Sequence, residues 1–271
     1  MRTLHRLEQF TDLRIWGTQL DIEDEFLIIG NQAVLSFSLQ PEGTPMLTVH
    51  SDWSQVYRYR QLVMRNRTQE QSFDRKQARG LLLDNPDLIR QFFAEGLSSV
   101  FTLTPVGYLI NDEELQQHEP EASIRKAILD LYREINGGPC RTYISSDLLR
   151  GHFSRGGTIV PLVGAVSIPT PSRMEYIKRF NAMNTKPPER HNVLDGSYPA
   201  MLVICTKKLA LVYIPTPDGT EDKFHILAHD RIEQSVEEEF SIKTNKLTDH
   251  SAGSWDAFLS DQEKRMPGQN Q

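Results

Sequence analysis

The chain has 271 residues, of which 38% are hydrophobic and 24% are charged, a composition typical of globular proteins and not of disordered or fibrous ones. The formal net charge of -6 excludes a general attraction of the whole surface to nucleic acid or anionic lipid, so any polyanion site has to be a local patch. The two cysteines, Cys140 and Cys205, are too few for a disulfide framework.

The sequence predicts neither a membrane span nor a secretory signal. The longest apolar run, residues 159–168, contains Pro161 and Gly164 and is too short for a membrane span. Residues 1–10 lack the apolar segment of a secretory signal. These features predict a cytoplasmic protein with no membrane span.

The first predicted unit is a β-hairpin followed by a strand and a helix. Apolar and polar residues alternate from Ala33 to Leu39, which is the period of a half-buried strand. Phe26–Ile29 is predicted as the hairpin partner of this strand, and Met46–Val49 as a third strand. Ser51 or Asp52 is predicted to cap the helix that follows.

The middle of the chain is predicted to be mainly helical. Asn85 to Gly96 and Pro120 to Gly137 have the apolar spacing and the end signals of amphipathic helices. Residues 101–103 and 108–110 predict a hairpin around a Pro-Val-Gly turn. Residues 158–168 predict a buried strand or strand pair, and residues 172–183 predict a short helix.

A second unit near the carboxyl end repeats the order of the first. Residues 201–219 again read as two apolar strands with a polar turn, and a short strand and a helix follow. The spacing from Leu211 to Gly219 equals that from Leu35 to Gly43. The sequence therefore predicts an α+β protein in which two similar terminal hairpin–strand–helix units bracket a helical middle, with internal duplication as a possible origin.

The predicted domain organisation follows from these segments. Residues 1–183 form an amino-terminal α+β region that includes the helical middle, and residues 184–198, rich in proline and charge, form a linker. Residues 199–247 form the second sheet-and-helix unit, packed on the first region. Residues 248–271 are predicted to be a mobile polar tail.

Catalytic and metal-binding motifs are not predicted. A thiolate site would need an imidazole and a carboxylate, and Cys140, Asp147 and His152 offer these groups, but Cys140 follows a helix-ending turn that needs no nucleophile. His225 and His229 have the spacing of two ligands on one helix face, but they lie in a strand and at a helix start. No catalytic residue, metal or cofactor is predicted.

The most unusual charge feature is a basic segment at residues 58–79 of an otherwise acidic protein. Arginine forms bidentate contacts with phosphate and carboxylate, and nearby aromatic residues offer stacking surfaces. The candidate residues for binding a polyanion or a partner are Arg58, Arg60, Arg65, Arg67, Arg75, Lys76 and Arg79. The alternative is that this segment pairs with the acidic stretch Glu233–Glu239, within the chain or between subunits.

The polar tail contains one apolar cluster. If Ser254 caps a helical turn, Trp255, Phe258 and Leu259 lie on a single face. The sequence predicts that this face docks into a groove of the same chain or of a partner.

Three resemblances each cover less than a third of the chain and leave its family open. The hairpin at Thr206–Leu209 together with His229–Glu233 resembles bacterial pleckstrin-homology-type modules, which implies a strand at Ser235–Lys243. The repeated hairpin, strand and helix order resembles the non-catalytic phospholipase-D-like sensor domains of some transcription regulators, whose enzymatic relatives use a His-x-Lys motif that this chain lacks. The helix at 121–136 followed by Ile144–Arg150 resembles a winged helix.

These observations predict a non-catalytic binding or regulatory module that acts through protein–protein or polyanion contacts. The expected partner is another protein or a second copy of the chain. One alternative is a regulator that binds nucleic acid through residues 58–79, with affinity that falls steeply with salt. The other is an enzyme whose site is assembled from scattered Arg, Asp and His residues.

Overall fold

The structure is a computed structural model. It describes residues 6, 14–18, 25–40, 42–103, 109–145, 151–152, 155–184, 191–194, 198, 200–216, 222–241, 260–261 and 264. The chain divides into two compact units. The small unit is Arg14–Gln71, and the large unit consists of Met1–Leu13 and Ser72–Gln271.

The small unit is a three-stranded antiparallel sheet with one helix and a short strand pair. Its elements are β1 (Trp16–Thr18), β2 (Glu25–Ile29), β3 (Ala33–Leu39), β4 (Pro45–His50), α1 (Trp53–Asn66) and β5 (Arg67–Glu70). Strand β3 pairs with both β2 and β4, and β1 pairs with β5. Of the two predicted cap candidates, Ser51 and Asp52, the helix cap is Asp52, because its carboxylate accepts a hydrogen bond from the amide of Gln55 at 3.2 Å.

Helix α1 packs on one face of this small sheet. Val56 of α1 and Val34 of β3 are buried between the two layers. The ring of Tyr59 meets the edge of Phe26 at 5.1 Å and lies 5.7 Å from His50, so that aromatic contacts join the helix to β2 and β4.

The large unit contains the remaining nine strands and six helices of the described residues. They are β6 (Ser72–Asp74), α2 (Arg75–Asp84), α3 (Leu88–Phe92), β7 (Ser99–Thr102), α4 (Asp112–Gln116), α5 (Ala122–Gly137), β8 (Arg141–Ser145), β9 (Gly157–Val160), β10 (Gly164–Ser167), α6 (Thr170–Asn184), β11 (His191–Leu194), β12 (Leu202–Cys205), β13 (Leu209–Ile214), β14 (Lys223–Ala228) and α7 (Ile232–Ser241). Asp74 and Asn111 begin α2 and α4 with capping boxes, in which side chain and backbone satisfy each other's hydrogen bonds.

A seven-stranded mixed sheet forms the centre of the large unit. Its order is β11-β8-β7-β12-β13-β14-β6, with β11, β8 and β7 parallel and every other neighbour antiparallel. One face packs against α2, α3, α5 and the β9–β10 hairpin, and the other packs against α7. The apolar stripe of α5, from Ile124 to Ile135, is buried in the first of these two cores.

The predicted α+β class is confirmed, and both terminal segments have the predicted order of elements. Strands β2, β3 and β4 followed by α1 correspond to β12, β13 and β14 followed by α7. An internal duplication stays a prediction. The helices predicted around residues 120–137 and 172–183 and the strand pair at 158–168 are also present.

Three local predictions are wrong. The strand that the pleckstrin-type resemblance implies at Ser235–Lys243 is helical up to Ser241, since Ile232, Val236 and Phe240 lie buried on one helix face, and the last two residues lie outside the described range. Ile144 and Ser145 belong to β8 and not to a second helix of a winged-helix pair. Residues 101–103 and 109–110 do not form a hairpin.

Strand β7, which contains Phe101, instead lies inside the sheet between β8 and β12. The predicted linker 184–198 contains β11, which pairs in parallel with β8 at the edge of the same sheet. The structure separates Arg14–Gln71 as one compact unit, and the division into residues 1–183, 184–198, 199–247 and 248–271 stays a prediction. Within the described residues, no helix has both the length and the apolar character that crossing a bilayer requires.

Candidate functional site

The seven candidate basic residues are divided between the two units. Arg58, Arg60 and Arg65 lie on α1 and Arg67 begins β5 in the small unit, whereas Arg75, Lys76 and Arg79 lie on α2 in the large unit. The seven basic residues therefore do not form one patch on a single unit.

In the large unit, Arg75 is engaged with a buried carboxylate. Asp222 has no exposure to solvent, and it accepts hydrogen bonds from Arg75 Nε at 3.0 Å and from the hydroxyl of Tyr213 at 2.8 Å. Gly164 lies close to the same guanidinium, since a Cβ added at Gly164 would be 2.8 Å from Arg75 Nη2. The backbone of Gly164 has φ of +105°. Arg75 therefore joins α2 to Asp222 and, through it, to Tyr213 of β13, and its charge is balanced inside the fold.

Arg79 also forms its hydrogen bonds with residues of the large unit. It donates hydrogen bonds to both carboxylate oxygens of Glu119 and to the carbonyl oxygen of Leu162, the last at 3.2 Å. Burial alone would raise the pKa of Glu119, but hydrogen bonds from Arg79 and the amide of Glu121 bring this pKa below its usual value. Lys76 is exposed on the same helix.

In the small unit, helix α1 exposes its basic residues. Arg58, Arg60 and Arg65 are exposed, and no ion pair is recorded for them among the described residues. Arg58 and Arg65 are seven residues apart and so share one helix face. Trp53 and Tyr57 stack with their ring centroids 5.1 Å apart and are also exposed, which places an aromatic surface on the same helix.

A second exposed surface of the small unit lies on the sheet face opposite α1. Alternate residues of the three strands point to this face, and their pairing puts Leu27 beside Leu35 and Leu35 beside Val49, with Phe37 beside Leu47. We call this surface the apolar face; it consists of Leu27, Ile29, Ala33, Leu35, Phe37, Leu39, Pro45, Leu47 and Val49. Glu25, at one corner, is the charged residue on it.

The apolar face is unusual because its large side chains, apart from the half-buried Leu35, are open to solvent. Leu39 is 76% exposed and Val49 is 59% exposed. Among the described residues of the small unit, Val34 and Val56 are the ones that are buried. A sheet normally covers an apolar face with a second layer, and this unit covers one face but leaves the other uncovered.

The large unit contains an apolar pocket of about 120 Å³. Its floor is a block of six side chains on alternate positions of β12, β13 and β14, and its walls come from α2, α3, α5 and the turn between β9 and β10. The lining residues are Ala78, Leu81, Leu82, Leu88, Ile89, Phe92, Phe93, Leu131, Pro161, Leu162, Leu202, Ile204, Leu211, Tyr213, Phe224 and Ile226. This lining is apolar throughout.

The pocket is larger than the voids of ordinary protein cores, which rarely exceed the size of a water molecule. Leu162, in its wall, has φ of +72°, a left-handed conformation that bulky residues rarely adopt. Arg79 bonds to the carbonyl of this same residue, so the ion pair with Glu119 supports the wall.

Three of the residues considered for catalysis or metal binding, Cys140, His152 and His225, are buried. Cys140 is buried and donates to the carbonyl of Ile135 at 3.6 Å, and Asp147 lies outside the described residues. Burial lowers the pKa of His152 to about 4. His225 is buried on β14 whereas His229 is exposed after it, and within the described part of the chain no cluster of His, Cys, Asp and Glu could hold a metal ion.

Neither the apolar face nor the pocket was predicted from the sequence. The alternation that places Leu35, Phe37 and Leu39 on one side predicts that this face of the strand is buried. An alternating pattern does not indicate whether another layer of the structure covers that face. The pocket joins segments far apart in the chain, such as Phe92 and Phe224, and no local pattern marks it. The predicted docking residues Trp255, Phe258 and Leu259 lie outside the described residues.

No family model matches the chain. No curated protein matches it in sequence. Among solved structures, the chain is similar to TrmBL2, an archaeal chromatin protein whose structure shows a novel mode of DNA binding; the identity is 10%, the TM-score is 0.29, and the match covers 66% of this chain and 53% of that chain. The match thus spans about half of TrmBL2. A similarity this low indicates nothing about the fold or the function of this chain.

Proposed function

We propose that the protein is a non-catalytic binding module that acts through protein–protein contact, with the apolar face of the small unit as its binding surface. The partner that we propose for this face is a second copy of the chain. The observation that carries the proposal is a continuous, solvent-exposed apolar sheet face on a unit with few buried side chains.

The composition of the apolar face favours a second copy as partner. Among its described residues it has one charged side chain, Glu25, so it offers no pattern of charges that would select a partner of different chemistry. A flat apolar sheet face is complementary to the same face of another copy, because two sheets pack well at a small angle about a two-fold axis. Such a contact would give each small unit the second layer that its sheet lacks.

The placement of the titratable groups supports a non-catalytic role. The buried acids Asp222 and Glu119 are paired with Arg75 and Arg79, and these pairs hold α2 to the rest of the large unit. The lining of the pocket is apolar, whereas enzyme sites usually place several titratable groups in a cleft.

The oligomeric state of the full chain tests this proposal. We expect sedimentation equilibrium to show a reversible monomer–dimer equilibrium. Leu47→Lys puts a charge on the apolar face at edge strand β4, next to Phe37 on the central strand. This substitution should weaken dimerisation by about tenfold or more, because a buried unpaired charge is costly.

Leu83→Lys is the matched control. Leu83 lies on α2 in the large unit and is 48% exposed, close to the 54% exposure of Leu47, and it does not line the pocket. Its replacement should leave dimerisation unchanged. A wild-type chain that stays monomeric at all concentrations, or a dimer that both variants weaken equally, would show that the apolar face does not bind a second copy.

Nucleic acid is a second candidate ligand, and the exposed basic and aromatic surface of α1 favours it. Arg58 and Arg65 can each contact a phosphate, and the stacked Trp53 and Tyr57 offer a platform for bases. Arg75 and Arg79 are in internal ion pairs, so this candidate function rests on the arginines of the small unit.

The salt dependence of binding tests this second function. The affinity for a labelled single-stranded oligonucleotide, followed by fluorescence anisotropy, should fall with salt, with a log–log slope of about 0.7 per phosphate contacted. The double variant Arg58→Glu, Arg65→Glu should bind more weakly to every sequence. Arg133→Glu, at a 72% exposed side chain on α5, is the control, and an equal effect there, or no binding at low salt, removes this function.

A further inference from the structure

We infer that the apolar pocket of the large unit is a binding site for a small uncharged ligand, of the size of one aromatic ring or a short alkyl chain. This inference is independent of the proposed contact through the apolar face, because the pocket is built only from residues of the large unit.

The floor of the pocket determines its shape. Leu202 pairs with Tyr213 and Tyr213 with Phe224, and in the next row Ile204 pairs with Leu211 and Leu211 with Ile226. These six side chains form two rows across three strands, so the floor is a continuous apolar surface. A continuous apolar floor can contact a ring or an extended alkyl chain along its length.

The lining determines the chemistry of the ligand. A cavity of about 120 Å³ is close in size to engineered apolar cavities that stay dry and bind benzene. Tyr213 contributes its ring, and its hydroxyl is already used in a 2.8 Å hydrogen bond to Asp222. A charged or strongly polar ligand would lose its hydration and gain no partner, and it is therefore excluded.

The walls leave a route for the ligand to enter. Leu81 on α2 lines the pocket and is 38% exposed, and Leu88, Ile89 and Phe92 around the five-residue helix α3 are only partly buried. The turn that contains Leu162 also lines the pocket, and Arg79 holds it by a hydrogen bond to the Leu162 carbonyl oxygen. The pocket thus has a fixed wall at the turn and a partly open side at α2 and α3.

Titration of the full chain with benzene tests this inference. In methyl-detected NMR spectra, we expect saturable shifts for lining residues such as Leu82, Leu131 and Ile204. Val203 and Ile214 belong to the core on the other face of the sheet and should not shift. Benzoate, which has the same ring with a carboxylate, should not bind.

Filling the pocket should abolish this binding. Ala78 lines the pocket from α2, and Ala78→Leu should weaken benzene binding by about tenfold or more, while Ala78→Val should have a smaller effect and serves if the leucine variant does not fold. Ala122→Leu, at an exposed position of α5, is the matched control and should leave the affinity unchanged.

Four results would overturn the inference. They are the absence of saturable shifts with benzene, equal binding of benzoate, unchanged binding by both Ala78 variants, and contacts between the pocket methyl groups and the ring of Trp255 in the protein without ligand. The last result would mean that the chain itself fills the pocket.

Discussion

Arg79 and Glu119 form a two-pronged ion pair in which both terminal guanidinium nitrogens donate to the carboxylate. The side chain of Glu119 is only 5% exposed, whereas that of Arg79 is 28% exposed. The same arginine bonds to the carbonyl of Leu162, so the pair connects α2 to the segment before α5 and to the β9–β10 turn. Its role is to hold the large unit together.

Arg79→Met should destabilise the protein by about 2–3 kcal/mol, because the buried carboxylate of Glu119 would lose its partner. The free energy of unfolding, measured with urea, checks this value. Glu119→Gln in the Arg79→Met background should recover part of the loss, since it removes the unpaired charge.

Arg133→Met is the control for this prediction. Arg133 pairs with Asp130 three residues away on α5, and its side chain is 72% exposed. Its loss should cost less than about 0.5 kcal/mol, as is usual for surface pairs. Equal losses for Arg79→Met and Arg133→Met would mean that the Arg79 pair contributes no more than a surface pair.

Stability should fall as the pH is lowered from about 6.5 toward 4, because two buried histidines resist protonation. Burial lowers the pKa of His152 and that of His225 to about 4 in each case. In the unfolded chain a histidine has a pKa near 6.5, so between these values the unfolded state binds more protons. Each histidine then reduces the free energy of unfolding by up to about 1.4 kcal/mol per pH unit.

Urea unfolding of the full chain between pH 7 and pH 5 measures this slope, and above pH 7 the contribution should be constant. His225→Gln should reduce the slope by about half, whatever it does to the absolute stability. His118→Gln changes an exposed histidine and should keep the slope. A slope that His225→Gln does not alter would show that His225 is already protonated in the folded protein at pH 5.

Local patterns predicted the elements of this fold better than their arrangement. The apolar stripe of α5 and the hairpin of β12 and β13 were predicted because the residues that define each of them lie close together in the sequence. Caps such as Asp52 were also predicted, because a cap acts only on the next turn of the helix. The α+β class followed from these elements.

The central sheet could not be predicted in the same way. Strand β7 pairs in parallel with β8, about 40 residues later, and antiparallel with β12, about 100 residues later, and both pairings depend on tertiary packing. Arg75 and Arg79 looked like surface charges because their partners, Asp222 and Glu119, are distant in the sequence. The pocket depends on the same long-range contacts.

Gly156→Ala should lower the free energy of unfolding by about 2 kcal/mol, because this position requires glycine on two grounds. Its φ is +73°, and a Cβ there would lie 2.5 Å from the carbonyl oxygen of Ile168. Gly80→Ala is the control: Gly80 lies in α2 with no atom within 4 Å of an added Cβ, and alanine should stabilise the helix by up to about 1 kcal/mol. Thermal unfolding should therefore shift in opposite directions, and a shift in the same direction would contradict the geometry at Gly156.

The two cysteines should be inert toward a thiol reagent such as DTNB in the folded protein and reactive in guanidinium. Both side chains are buried, and burial raises the pKa of Cys205 to about 12. Since the thiolate is the nucleophile, a pKa this high slows the reaction at neutral pH by roughly a thousandfold even before steric exclusion is counted. Ser235→Cys adds an exposed thiol on α7 and provides the positive control, with one fast-reacting group in the native state and three in denaturant.

If Cys140 or Cys205 reacted as fast as the added cysteine, the cores on the two faces of the sheet would be open to solvent. The packing of α5 and α7 against that sheet would then be wrong.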